Sequence, residues 1–158
     1  SGFIDFKKLC IKEGEKVWNV FIDLYSLNDD GNLLDAFALA ALAALKHAKI
    51  PKYDEKSDKV VYGEWTNQKL PLTKQMPLTI TVHKIGDSIL IDPNTEEEES
   101  SEARITFSIS DGGMINAMQK GNERDININE FLEIVDFVEK KWENLFPKIN
   151  KTIEEKTK

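Results

Sequence analysis

The chain has 158 residues, 41% of them apolar and 31% charged, and its 21 Lys and Arg against 28 Asp and Glu leave a net charge of -7. That length fits one domain or two small lobes sharing a core, and the charge works against a stand-alone nucleic-acid binder, whose affinity comes largely from Lys and Arg neutralising phosphates. The longest apolar run, Ala36 to Leu45, is ten residues against the roughly 18 needed to cross a bilayer, and no basic stretch followed by an apolar one opens the chain, so a soluble, cytoplasmic protein is expected.

Cys10 is the only cysteine. It excludes an internal disulfide and a cysteine-based zinc cluster, and reads as a small buried hydrophobe. Val17 to Tyr25 (V-W-N-V-F-I-D-L-Y) is rich in β-branched and aromatic residues and predicts a central strand covered on both faces. Asn28 to Asn32 (N-D-D-G-N) then reads as a turn. Leu33 to Lys49 carries Phe37, Leu39, Leu42, Leu45 and seven alanines, which predicts a helix buried nearly all round and stopped by Pro51. Residues 52 to 77 mix charge with Pro71 and Pro77 and read as a connector holding one or two short strands. Leu78 to His83 and Asp87 to Asp92 read as a hairpin across Ile85-Gly86. Ala103 to Ile109 and Met114 to Met118 read as a second one across Asp111-Gly112-Gly113. Asn127 followed by Glu130 has the spacing of a capping box. It opens a long helix through Phe131, Ile134, Val135, Val138, Trp142, Leu145, Phe146 and Ile149, kinked at Pro147 and exposed or frayed from Asn150. The order predicts an α+β protein with a mainly antiparallel sheet.

The strongest electrostatic feature is the set Asp87, Asp92, Glu96, Glu97, Glu98, Glu99 and Glu102, seven carboxylates in sixteen residues with no Lys or Arg between. Oxygen ligands suit Mg²⁺ or Ca²⁺, but the spacing lacks the glycine turn and alternating ligands of a calcium loop, so a solvated acidic loop is the better reading. His47 and His83 are the only histidines and have neither a second metal-ligating neighbour at zinc spacing nor a nucleophile motif beside them. Trp18 and Trp142 fall on core-facing positions, which leaves Trp65 as the exposed tryptophan able to stack on a base. Arg104 and Arg124 are the only arginines against nineteen lysines, a poor stock for bidentate phosphate recognition.

Lys16 to Pro51 resembles the second half of the first RNase PH domain, and more narrowly that of the archaeal exosome subunit of RNase PH type that lacks catalytic residues. Pro77 to Pro93 (P-L-T-I-T-V-H-K-I-G-D-S-I-L-I-D-P), Asp111-Gly112-Gly113 and Asn116 to Gly121 (N-A-M-Q-K-G) agree with it, so the resemblance spans essentially the whole chain. It implies an RNase PH-like (ribosomal protein S5 domain 2-like) sheet with packed helices, truncated at the N-terminus. Residues 1–52 would be the second half of domain 1, 53–76 a connector and 77–158 domain 2. Family members begin with a basic, strand-rich half-domain that is missing here, so the Val17 strand is expected to lack neighbours and the chain to self-associate or be marginally stable.

Catalytic members of the family carry D-G-G-T-R or D-A-G-S-R after the strand, whose hydroxyl and arginine hold the attacking phosphate. The matching turn here is Asp30-Gly31-Asn32-Leu33-Leu34. They also carry E-A-D or a close relative in domain 2, with the Asp as general acid or metal ligand, where this chain has Glu102-Ala103-Arg104. Leucine offers neither donor nor charge, and an arginine does not give up its proton near neutral pH. The resemblance therefore implies a non-catalytic structural subunit of the exosome core ring, with no catalytic, cofactor-binding or metal-binding residue and no cofactor. Its implied partners are a catalytic RNase PH-like exosome subunit, joined to it in heterodimers that form a hexameric ring, and RNA-binding cap subunits; RNA is met indirectly, and no membrane is involved. The alternatives are a divalent-metal-dependent phosphorolytic exoribonuclease using Asp87, Asp92 and Glu96 to Glu99 around Mg²⁺ or Mn²⁺, and an adaptor whose acidic loop binds a basic partner.

Overall fold

The computed structural model describes residues 2–156. Its centre is a four-stranded antiparallel sheet built from β5 (Leu78–Ile85), β6 (Ser88–Ile91), β7 (Ala103–Ser110) and β8 (Met114–Gly121) in the order β6-β5-β7-β8. Both expected hairpins are present, and β5 pairs with β7 as well as with β6. The period-two alternation decides the two faces. Leu78, Ile80 and Val82 oppose Ile109, Phe107 and Ile105 across the β5/β7 ladder and are buried, while Thr79, Thr81 and His83 oppose Ser108, Thr106 and Arg104 on the other face.

The apolar face is covered by α3 (Ile128–Glu155), whose Ile134 and Val138 are buried against it with Phe131, Val135, Trp142 and Leu145 beside them. Asn127 caps this helix as the sequence predicts: its side chain accepts from Glu130 N at 3.0 Å, and Glu130 returns a bond to Asn127 N at 3.1 Å. The helix continues past Pro147, and Ile153 near its end packs on a second cluster of Phe3, Leu42 and Met76, so the last turns are anchored rather than frayed.

Ahead of the sheet come two short paired strands, β1 (Cys10–Lys12) and β2 (Lys16–Val17), then α1 (Leu33–His47), then the hairpin of β3 (Lys49–Asp54) and β4 (Lys59–Lys69). A one-turn helix, α2 (Thr95–Glu99), precedes β7. Five expectations change here. The central strand over Val17 to Tyr25 is extended chain without partners beyond Val17: among the described residues, 19–28 make no hydrogen bond, and Phe21 and Tyr25 are each 84% exposed. A strand needs a neighbour for its backbone groups, and the described chain supplies none there. Helix α1 is covered on one side only, with Leu42 its one buried residue. Its alanines raise helix propensity without needing a buried surface. The connector is a well-formed hairpin, with Pro51 inside β3 beside a register irregularity rather than serving as the helix stop, because α1 has already ended at His47. The acidic loop contains α2, where Asn94 and Glu97 form a capping box that the N-x-x-E spacing carries in the sequence. Cys10, expected inside, is exposed, since it sits on a two-stranded ribbon too small to bury both faces. Trp18 and Trp142 are partly buried and Trp65 is exposed. No helix among the described residues is long and apolar enough to cross a membrane.

Candidate functional site

The two segments expected to depart from the catalytic pattern, residues 30–34 and 102–104, are some seventy positions apart in sequence. The fold brings both to α2. Gly31 has φ +86° and lies so close to the loop before α2 that a Cβ there would fall 2.4 Å from Pro93 O and 2.7 Å from Asn94 C. Asn32 follows in the left-handed region (φ 52°) and starts α1 without capping it through its side chain. Its amide donates instead to Glu98 Oε2 at 2.8 Å, and its Nδ2 donates to Asp92 Oδ1 at 3.0 Å. The same Glu98 carboxylate lies 3.7 Å from Arg104 Nη1. One acidic side chain of α2 thus ties the N-terminal end of α1 to β7. A helix N-terminus carries partial positive charge and favours an anion, and a guanidinium does so more strongly.

Arg104 reaches this position because its register partner on β8 is Gly121: a Cβ there would sit 2.5 Å from Arg104 Nε. Glu102 turns the other way into a separate network. Arg124 Nη1 donates to Glu102 Oε2 at 2.6 Å, and Glu130 receives Arg124 Nη2 and Lys84 Nζ at 3.3 Å each. The backbone bond to Asn127 and the charges of Lys84 and Arg124 hold the Glu130 carboxyl below the usual carboxylate range. Ala103 between them is fully buried.

Asp35, in the first turn of α1, fixes the helix to the sheet. Pairing between β5 and β6 ends at Val82, and beyond it Asp35 takes the ladder's place, accepting from Thr81 N at 2.9 Å and from Thr81 Oγ1 at 2.7 Å. Burial raises its carboxyl above the ordinary value, with Thr81 opposing the shift and the charge of Asp92 adding to it. His83 lies two residues on, directly opposite Arg104. It is buried with Nδ1 unpartnered, and burial pushes its imidazole pKa down.

The site therefore sets Glu98 between Asn32 and Arg104, with Asp92 on the Asn32 side chain and Asp35 on Thr81 beside the start of α1. Leu33 and Leu34, at the positions where catalytic members are expected to hold phosphate, bring no polar group, and Arg104 at the expected acid position is already partnered. The carboxylates of the acidic segment have separate tasks: Glu97 caps α2, Glu98 joins α1 to β7, and Glu102 meets Arg124. Among the described residues no group of three or more His, Cys, Asp or Glu is placed to hold a metal ion. Sequence reasoning missed Glu98 as a bridge and Gly121 as the space for Arg104; the capping-box spacing at Asn94 was the signal that a helix stood there.

Sequence comparison matches residues 5–51 to the profile of the 3' exoribonuclease family, domain 1, and residues 75–141 to that of the same family, domain 2. The chain belongs to the RNase PH-like 3' exoribonuclease family. Its RNase PH-like α+β fold is shared with solved structures. A chain of the Archaeoglobus fulgidus exosome with RNA bound to the active site superposes with TM-score 0.78 at 38% identity, over 92% of this chain and 54% of that one. A chain of an archaeal exosome core gives 0.79 at 37% identity, over 93% and 56%. The exosome complex component Rrp42 of Methanothermobacter thermautotrophicus is 39% identical over 153 residues, 97% of this chain and 56% of the relative, and that of Methanosarcina acetivorans 41% identical over 137 residues, 86% and 48%. This RNase PH-like chain spans about half the length of the curated relatives it matches.

Proposed function

We propose that this chain is a non-catalytic ring subunit of the RNA exosome core, supporting 3'-to-5' RNA degradation and processing by pairing with a catalytic RNase PH-like subunit. In this reading the pairs close into a hexameric ring in the cytoplasm and meet RNA-binding cap subunits, and RNA comes to the active sites of the partner. Residues 1–52 belong to the first domain, 53–76 connect, and 77–158 form the second. The similarity to archaeal exosome components supports membership of the complex.

The observation that carries the non-catalytic reading is the Glu98 bridge. Phosphorolysis needs a cradle for phosphate and a group that gives a proton to the leaving oxygen. Here the cradle positions are Leu33 and Leu34, the proton-donor position is Arg104, and the nearby anion-favouring groups, Asn32 N and Arg104, already hold the chain's own carboxylate. Asp35 and Asp92 beside them repel a phosphate further.

The test incubates the purified chain with phosphate, Mg²⁺ and a labelled oligoribonucleotide, alone and with a catalytic RNase PH-like exosome subunit. Release of nucleoside diphosphates is expected only in the mixture, at a rate above that of the catalytic subunit alone. The variant carrying Leu33→Thr and Leu34→Arg stays inactive by itself, since the acid is still missing. Diphosphate release by the unmixed wild-type chain sinks the reading.

A further inference from the structure

We propose that the β3–β4 hairpin is a binding surface for single-stranded RNA, with Trp65 as its stacking ring and lysines at both ends as its phosphate contacts. The register sets the surface. Lys49 lies opposite Lys69 and Pro51 opposite Trp65, with a register irregularity between the two pairs and another before Tyr53 meets Val60, so each pair stands side by side across the hairpin. Trp65 is 66% exposed, and its indole makes no ring contact or hydrogen bond among the described residues. Tyr62, three residues earlier on the same strand, is fully exposed where the register is irregular near Gly63 (φ +80°). An indole or phenol left in water at such cost in apolar exposure is the platform on which any base can stack.

Charge decides which occupant fits. Within the hairpin, Lys52 pairs with Glu64, and Lys16 of β2 takes Asp58. Lys49, Lys56, Lys59 and Lys69 have no ion pair among the described residues, and only Asp54 and Glu55 remain to oppose them, with Asp54 already accepting from Ser57 Oγ and Lys56 N. The surplus is positive on a chain whose total is -7. His47 adds to it at the Lys49/Lys69 end. Its Nδ1 and Nε2 lie 2.8 and 2.9 Å from the carbonyls of Ala43 and Lys156, and two acceptors suit the doubly protonated ring. Local field rather than net charge steers a polyanion, so the hairpin attracts one where the rest of the surface repels it. An apolar partner surface would leave four lysines without counter-charge, whereas an RNA strand supplies bases for the rings and phosphates for the cations. The contact goes beyond ring membership and does not depend on it.

The whole chain is titrated into a fluorescent single-stranded oligoribonucleotide at several salt concentrations, with tryptophan emission recorded in parallel. We expect salt-sensitive binding with quenched emission, an affinity loss of about tenfold in Trp65→Leu together with loss of the quenching, and in Trp65→Phe retained affinity without the quenching, because a phenyl ring stacks but carries no indole emission. The double variant Lys49→Glu with Lys69→Glu should flatten the log–log salt dependence by about 1.4, at roughly 0.7 per phosphate contact. These side chains are exposed, so unchanged thermal melting identifies the variants as folded. Absence of binding at low salt, binding unaffected by Trp65→Leu, or equal competition by base-free polyphosphate overturns the proposal. Co-purification with the catalytic subunit is measured on the same variants, so a failure here is told apart from a failure of the ring assignment.

Discussion

Single atoms decide the geometry of the site. Gly31 is the clearest case, because both its positive φ and the 2.4 Å approach to Pro93 O forbid a side chain, and the obstacle is backbone that has nowhere to go. Gly31→Ala should therefore lower unfolding free energy by about 2 kcal/mol or more in urea titration, while an unchanged midpoint would show that α1 and the loop before α2 are not held as described. Gly121 meets only the Arg104 side chain, so replacing it displaces that chain at smaller cost. His83 gives a pH signature. Burial depresses its folded pKa, so below about 6.5 the unfolded chain takes up a proton that the folded one refuses. Stability is full above the unfolded value and falls as pH drops toward the folded one, by at most about 1.4 kcal/mol per pH unit. Urea unfolding at pH 7.5 and 5.5 should show this loss, and His83→Gln should reduce it. Equal losses in the two proteins would mean that the imidazole is not the cause.

Elements follow their sequences where local chemistry is self-sufficient. The β5/β6 and β7/β8 hairpins were legible because alternation and turn residues act over a few positions. The start of α3 was legible because Asn127 and Glu130 close their own bonds. Residues 19–28 show the opposite. Their pattern, β-branched and aromatic with both parities apolar, asks for a strand covered on two faces, but pairing depends on neighbours that no local rule supplies. The structure leaves Trp18 and Val20 partly covered and Phe21, Ile22, Leu24 and Tyr25 exposed, with no division by parity. Hydrogen exchange checks this directly. Amides of 19–28 should exchange at near-intrinsic rates in the free chain, while those of 78–85 and 103–110 are protected by their ladders. Protection over 19–28 would show that a strand partner is present after all.

Beyond the hairpin with Tyr62 and Trp65, exposed apolar side chains include those of the extended segment with Phe21, Tyr25 and Leu27, the β8 edge with Met114, Ile115 and Met118, and the start of α3 with Ile128 and Leu132. Scattered apolar residues are ordinary, but contiguous ones along an open strand edge promote association. Light scattering over a concentration series should show the average mass rising above the 18.0 kDa of one chain, and a constant mass at that value would count against it. The sequence by itself determined the α+β order, the antiparallel sheet, the cap of α3 and which side chains stand at Leu33, Leu34 and Arg104, because each of these is written in residues a few positions apart. The tertiary structure alone decided that Glu98 reaches both Asn32 and Arg104, that Asp35 stands in for a missing strand at Thr81, and that the hairpin holds Trp65 between lysines. Those contacts join segments tens of residues distant, and burial or register, rather than any local propensity, selects which side chains meet.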